Sequence, residues 1–224
     1  MNADLTPYGI GNKGLTTILP ENFIVRETTA EPLKNLRSAA LQAGFSIQIE
    51  SAYRSFERQL SIWNRKAAGE LPLLDAAGNL RARPQNEKEM VEAILTWSAL
   101  PGASRHHFGT EVDVSDAFAI PEGYQVQLTP EECSGMFAPF HRWLSAQIEN
   151  ETAFGFARVF VPGRGKIQPE EWHLSHLPGA REMQKKIDPQ ALREIYETTE
   201  IFGKDYLIRN LNQLMDDYVY PYFV

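Results

Sequence analysis

The chain has one cysteine, Cys133, among 224 residues. A lone cysteine excludes an intramolecular disulfide framework and a cysteine-rich zinc site, and Cys133 reads as a small buried or half-buried residue without chemistry. No apolar run approaches the roughly 18 residues of a membrane span. An excess of positive charge is also missing: 22 Lys and Arg against 29 Asp and Glu give a formal net charge of −7. A chain that binds nucleic acid through its phosphates should be basic, so no nucleic-acid partner is expected. The N-terminal stretch MNADLTPYGIGNKGLTTILPENF lacks the positive n-region and continuous apolar h-region of a secretory signal. With Met1 as the natural start the expected location is the cytoplasm; with a leader removed it is the periplasm or the exterior. Repeats and low-complexity segments are absent too, and no feature assigns an oligomeric state. What remains, 43% hydrophobic and 23% charged residues, is ordinary for a soluble globular chain.

Hydrophobic periodicity then sets out the elements. Residues 31–44 place Leu33, Leu36, Ala40 and Leu41 on one helix face, with Gly44 as the stop. FSIQIESAY, residues 45–53, alternates as a strand, and Ser55 is an N-cap for a helix ending near Gly69. A loop or small hairpin over 70–85 leads to a helix over 86–100, stopped by Pro101-Gly102. Further strands are expected at 110–114, 156–161 and 171–177, a helix at 137–153, and helix from Pro178 to the end. Strands and helices alternate without a regular βαβ rhythm. The expected fold class is therefore α+β, a single domain with a mainly antiparallel central sheet flanked by helices. Residues 1–178 would form the main domain and 179–224 a C-terminal helical extension packed on its core.

The stretch SRHHFGTEVDVSD, residues 104–116, sets His106 and Asp113 at the two ends of a turn and strand that Gly109 lets bend. Both side chains could converge on one metal ion, with His173 of PEEWHLSH, residues 169–176, as the third ligand. Catalytic zinc takes three such N or O ligands and keeps one position open. Glu170, three residues before His173, is placed as a general base. Arg54, at a strand end before a helix, can give forked hydrogen bonds to a carboxylate or an oxyanion. A polar loop, an ordinary strand start and a surface arginine would explain each piece separately.

Taken together the three stretches resemble a known family. Ser104, His106, Gly109 and Asp113, followed by Glu170, Trp172 and His173, and preceded by Tyr53, Arg54, Ser55 and Gln59, look like the motifs of the VanY-type D-alanyl-D-alanine carboxypeptidases. These zinc peptidases share a fold with the Hedgehog signalling domain. The resemblance covers roughly residues 30–178. It implies one zinc ion on His106, Asp113 and His173, with Glu170 as base and then acid, and Arg54 on the scissile carbonyl. It also implies substrate contacts from Ser104, Gln59 and Tyr53, and Trp172 packed beneath the ligands. His107, beside His106 in a strand-like segment, should face the other way. One departure stands out: the family has a small residue where this chain has Glu111. In a strand Glu111 shares the face of Asp113, so it could lie near the metal; a support behind the ligands or a pair with Arg105 is the favoured reading, with plain solvent exposure as the alternative.

His141 reads as a packing or surface residue, His176 as structural on the strand face opposite His173, and Glu171 as pointing away from Glu170. The basic loop GRGK, residues 163–166, reads as a solvated turn that could border the cleft, and YVYPYFV at the end as docked on the core. The resemblance implies removal of terminal D-alanine from peptidoglycan stem peptides or muropeptides. The missing signal inclines the reading towards LD-carboxypeptidase action on tetrapeptides over DD action on pentapeptides. An endopeptidase of the endolysin type and a non-catalytic zinc module are the alternatives, and the presence of both Glu170 and Arg54 weighs against the second.

Overall fold

The computed structural model describes residues 4–224. The chain opens with a hairpin of β1 (Leu15–Ile18) and β2 (Phe23–Arg26), which runs into helix α1 (Glu27–Gln42). Strand β3 (Ile47–Ser51) follows, then α2 (Phe56–Ala68) and α3 (Glu87–Leu95). A 3₁₀ turn at Arg105–Phe108 leads into β4 (Glu111–Asp116), followed by α4 (Pro130–Ser134) and α5 (Ala138–Glu149). Strands β5 (Phe156–Ala157) and β6 (His173–His176) complete a four-stranded sheet of order β3-β4-β6-β5, every pair antiparallel. Four helices close the chain: α6 (Leu177–Gln184), α7 (Pro189–Thr198), α8 (Lys204–Arg209) and α9 (Leu211–Tyr218). This is the α+β class expected from the sequence. Among the described residues no helix is long and apolar enough to cross a membrane.

Two apolar clusters flank the site. On one face of the sheet, Ile47, Ile49, Val112, Val114 and Leu174 pack against Leu33 and Leu36 of α1 and Phe140 and Leu144 of α5. Alternation along a strand sends Glu111, Asp113 and Ser115 to the other face. The second cluster joins Trp63 of α2 and Val91 and Ile94 of α3 to Leu192, Tyr196, Leu207 and Met215 of the C-terminal helices. Burying these aliphatic and aromatic side chains stabilises the fold by roughly 2 kcal/mol each.

Several expectations need adjusting. Helix α1 begins at Glu27, ahead of the expected start at 31, and Leu41 is 61% exposed while Leu33, Leu36 and Ala40 are buried. Eight residues beyond Leu33, Leu41 falls outside the stripe that meets the sheet. Helices α3 and α5 stop at Leu95 and Glu149, short of the expected ends. The strand expected at 156–161 pairs only at Phe156 and Ala157, because Val159 and Phe160 turn into a separate cluster with Ile167 and Tyr222. The 171–177 strand is likewise shorter, and the first hairpin and α4 were not anticipated. Helix α2 matches: the Ser55 hydroxyl accepts from the Arg58 N–H, and Gly69 ends it in a left-handed conformation.

Candidate active site

The sheet register itself assembles the site. Asp113 of β4 lies directly opposite His173 of β6, and Glu111 lies two residues before Asp113 on the same face. His106 arrives from the 3₁₀ turn, whose exit requires Gly109 at φ 71°. A Cβ at Gly109 would come within 2.8 Å of Leu15 Cδ2 and 3.0 Å of the Arg26 nitrogen, so glycine answers both a backbone and a packing demand.

Hydrogen-bond partners fix the ring orientations. His106 Nδ1 donates to the Ala52 carbonyl at 2.7 Å, which turns Nε2 towards Asp113 Oδ2 at 3.3 Å. His173 Nε2 donates to Glu111 Oε2 at 2.9 Å, which turns Nδ1 towards Asp113 Oδ1 at 3.0 Å. One ligand atom from each of His106, Asp113 and His173 lies within 4.8 Å of the others, and all three residues are buried. Two imidazole nitrogens and a carboxylate oxygen suit zinc with one position left open, each imidazole steadied through its other nitrogen.

The charges follow from this packing. Burial alone would raise the Asp113 carboxyl, but His106 and His173 hold it far below the ordinary carboxylate range. Burial would also raise Glu111, yet Arg105 and His173 keep it at about 2. Against its own burial, His173 is drawn up to about 10 by its hydrogen bonds to Asp113 and Glu111. Burial lowers His106 from the usual imidazole value.

His106, Asp113 and His173 line a cavity of about 270 Å³ together with Arg54, Lys66, Trp97, Ser98, Ser104, Phe160, Glu170 and Trp172. Glu170 Oε2 stands 3.7 Å from His173 Nδ1. Burial pushes its carboxyl up to about 7, against the opposing pull of His173. Arg54 donates to Gln59 Oε1 at 2.8 Å and Ser51 Oγ at 3.2 Å, and Lys66 to Ser98 Oγ at 2.7 Å. These acceptors are neutral, so the two cationic groups give the cavity a positive wall. Burial lowers the Lys66 ammonium to about 8, with the Arg54 charge adding to the effect.

Not every expected residue faces the cavity. Gln59 is fully buried behind Arg54, its oxygen spent on the guanidinium and its nitrogen on the Ala99 carbonyl at 2.8 Å. Tyr53 gives its hydroxyl to the Gly9 and Gly11 carbonyls, at 3.1 and 3.2 Å. The polar atoms of both are engaged within the protein, and neither residue is among those lining the cavity. Ser104 does line the cavity. Trp172 lines the cavity, stacked on Trp97 with ring centroids 6.2 Å apart.

His107 faces away from the ligands, but within a 3₁₀ turn and not a strand. It donates from Nδ1 to the Arg54 carbonyl at 2.6 Å and accepts the Gly102 N–H on Nε2 at 3.0 Å. Its burial pushes it down to about 3, so the ring is neutral and fastens the Arg54 backbone. His176 lies on the opposite strand face, 3.3 Å from the Thr29 hydroxyl. Glu111 contacts both His173, at 2.9 Å, and Arg105, at 3.1 Å. The GRGK loop does not border the cavity: Arg164 holds the Pro221 and Phe223 carbonyls, and Lys166 holds Asp217.

Lys66 and Trp97 were not anticipated. Lys66 carried a signal, lying seven residues after Gln59 and so on the same face of α2, two turns on.

Residues 22–179 match the family described as VanY, D-alanyl-D-alanine carboxypeptidase. The chain belongs to the VanY family. An uncharacterized protein of Haemophilus influenzae is 35% identical over 129 residues, 56% of this chain and 96% of the relative. Two solved structures share the fold. VanYB in complex with D-alanine-D-alanine superposes with a TM-score of 0.53 at 21% identity, over 86% of this chain and 94% of the other. The LdcB LD-carboxypeptidase superposes with a TM-score of 0.54 at 20% identity, over 81% and 82%.

Proposed function

We propose that this VanY-family protein is a zinc-dependent carboxypeptidase that releases the terminal D-alanine from peptidoglycan stem peptides. The observation that carries the reading is the convergence of the ligand atoms of His106, Asp113 and His173 in a cavity also lined by Glu170 and Arg54. The donor set fits zinc, which when bound would polarise the scissile carbonyl and lower the pKa of water to ~7.

The chain's own groups do the rest. Glu170, whose carboxyl is raised by burial, takes a proton from the attacking water as the new C–O bond forms at the scissile carbonyl carbon. It then returns that proton to the departing nitrogen as the C–N bond breaks, releasing D-alanine. Arg54, its backbone pinned on both sides by His106 and His107, donates to the carbonyl oxygen as negative charge develops there. Lys66 faces the free carboxylate of the terminal residue, and Ser104 borders the same space. A cationic wall suits a chain end better than a mid-chain bond, which favours a carboxypeptidase over an endopeptidase. The fold matches the LD-carboxypeptidase LdcB about as well as VanYB with D-alanine-D-alanine. Tetrapeptide and pentapeptide therefore form two arms of one assay.

Glu170→Gln tests the reading. Zinc should bind as before while D-alanine release is abolished. Unchanged turnover would remove Glu170 from its role, and loss of zinc would make it a ligand or a support instead.

A further inference from the structure

The family match ends at residue 179, yet the last residues of the chain reach back to a metal-binding histidine. Arg105 donates through one guanidinium nitrogen to Glu111 Oε1 at 3.1 Å and through the other to the Tyr222 carbonyl at 2.7 Å. Glu111 Oε2 in turn accepts from His173 Nε2 at 2.9 Å. A continuous polar chain thus runs from the Tyr222 backbone to the ring that offers Nδ1 to the metal. Arg105 is buried and its Nε has no partner among the described residues, so losing the Tyr222 carbonyl would leave Nη1 only the longer bond to Gln184 Oε1 at 3.4 Å.

An apolar route runs in parallel. The Tyr222 ring packs on Phe160 with centroids 4.8 Å apart, and Phe160 meets the His173 ring at 4.6 Å. Tyr222 is itself fixed, its hydroxyl accepting the Ile167 N–H at 2.7 Å.

The segment is held as a built element. Arg164 donates to the Pro221 and Phe223 carbonyls at 2.7 and 3.0 Å. Gln184 brackets Val224, accepting its N–H at 2.8 Å and donating to its carbonyl at 3.2 Å. Four successive carbonyls, from Pro221 to Val224, therefore each accept a side-chain hydrogen bond. Solvent-facing packing alone would not require that.

We infer that Tyr220–Val224 is a positioning element for His173, acting through Arg105–Glu111 and through Phe160, and that it sets the affinity of the site for its metal. The inference rests on His106, Asp113 and His173 being the metal ligands. It extends the role of the C-terminal region from packing on the core to holding the metal centre in shape.

The test measures zinc affinity by chelator competition and the visible absorption of the cobalt-substituted protein. Full-length protein is compared with a deletion of residues 220–224 and with Tyr222→Leu, which keeps the backbone but loosens the anchor. Thermal unfolding of the metal-free forms reports separately on the fold. Outer partners of metal ligands are typically worth 10–100-fold in affinity, so the deletion should weaken zinc binding by about 10-fold or more and shift the cobalt bands. Tyr222→Leu should do so to a lesser degree, and it decides the matter should the deletion not fold. A folded variant with a lower Tm but unchanged zinc affinity and cobalt spectrum would overturn the inference. Failure of full-length protein to bind zinc would overturn the ligand assignment beneath it.

Discussion

Replacing Glu111 by glutamine keeps the shape of the side chain and removes its charge. Glu111 is fully buried, and its Oε1 accepts from Arg105 at 3.1 Å, Thr110 Oγ1 at 2.9 Å and Ser175 Oγ at 2.9 Å, while Oε2 accepts from His173. A glutamine offers one oxygen and one NH₂, so one of these two positions must turn a donor towards donors. Arg105 would also lose the carboxylate that balances its buried charge. Breaking a buried pair from one side costs about 3–5 kcal/mol. Some relief is available to Arg105 from the Tyr222 carbonyl and Ser175 Oγ, both at 2.7 Å, so the lower end, about 3 kcal/mol, is expected for the metal-free protein. Zinc affinity should fall by about 10–100-fold, because His173 loses the partner that orients its ring. Urea unfolding of the metal-free protein gives the first number and chelator competition the second. Unchanged stability together with unchanged zinc affinity would refute the view that Glu111 is the support of His173.

Other consequences are equally open to measurement. Arg54→Met should lower kcat by about 10²–10³, as removal of an oxyanion donor does, while zinc affinity stays the same; equal loss of both would make Arg54 a structural residue. Lys66→Met should raise KM for a free-acid peptide by about 10-fold and erase the preference over its C-terminal amide, and an unchanged KM would remove Lys66 from carboxylate recognition. His141, buried and beside Arg158, is held down to about 4. Because this is below the unfolded value, its contribution to stability is complete above about pH 6.5 and is lost as pH falls towards 4. His141→Gln should therefore lose about 3 kcal/mol less than the parent between pH 7 and 4; parallel pH profiles from urea unfolding would contradict this.

Part of the site could be read from local information, whereas His173, 60 residues from Asp113, was assigned as a ligand through the motif resemblance. His106 and Asp113 lie within one turn and strand, and period-two alternation along β4 puts Glu111 on the face of Asp113 whatever the rest of the chain does. Ser55 and Gly69 likewise mark the ends of α2 by their own chemistry. What could not be read depends on distant partners. Arg105 and Tyr222 are 117 residues apart, and nothing near either one announces the other. Gln59 and Tyr53 carry polar groups suited to substrate, and only the packing shows those groups committed to Arg54 and to the Gly9 and Gly11 carbonyls. The 156–161 stretch is strand-like in composition, but Phe160 is needed against His173 and Tyr222, and that pull takes it off the sheet edge.

The most direct measurement is D-alanine release by the zinc-loaded protein from a muropeptide tetrapeptide and pentapeptide in parallel, each with and without chelator. The account predicts release from at least one of them, abolished by the chelator and restored by zinc. Protein that has bound zinc and yet releases no D-alanine from either peptide would contradict it.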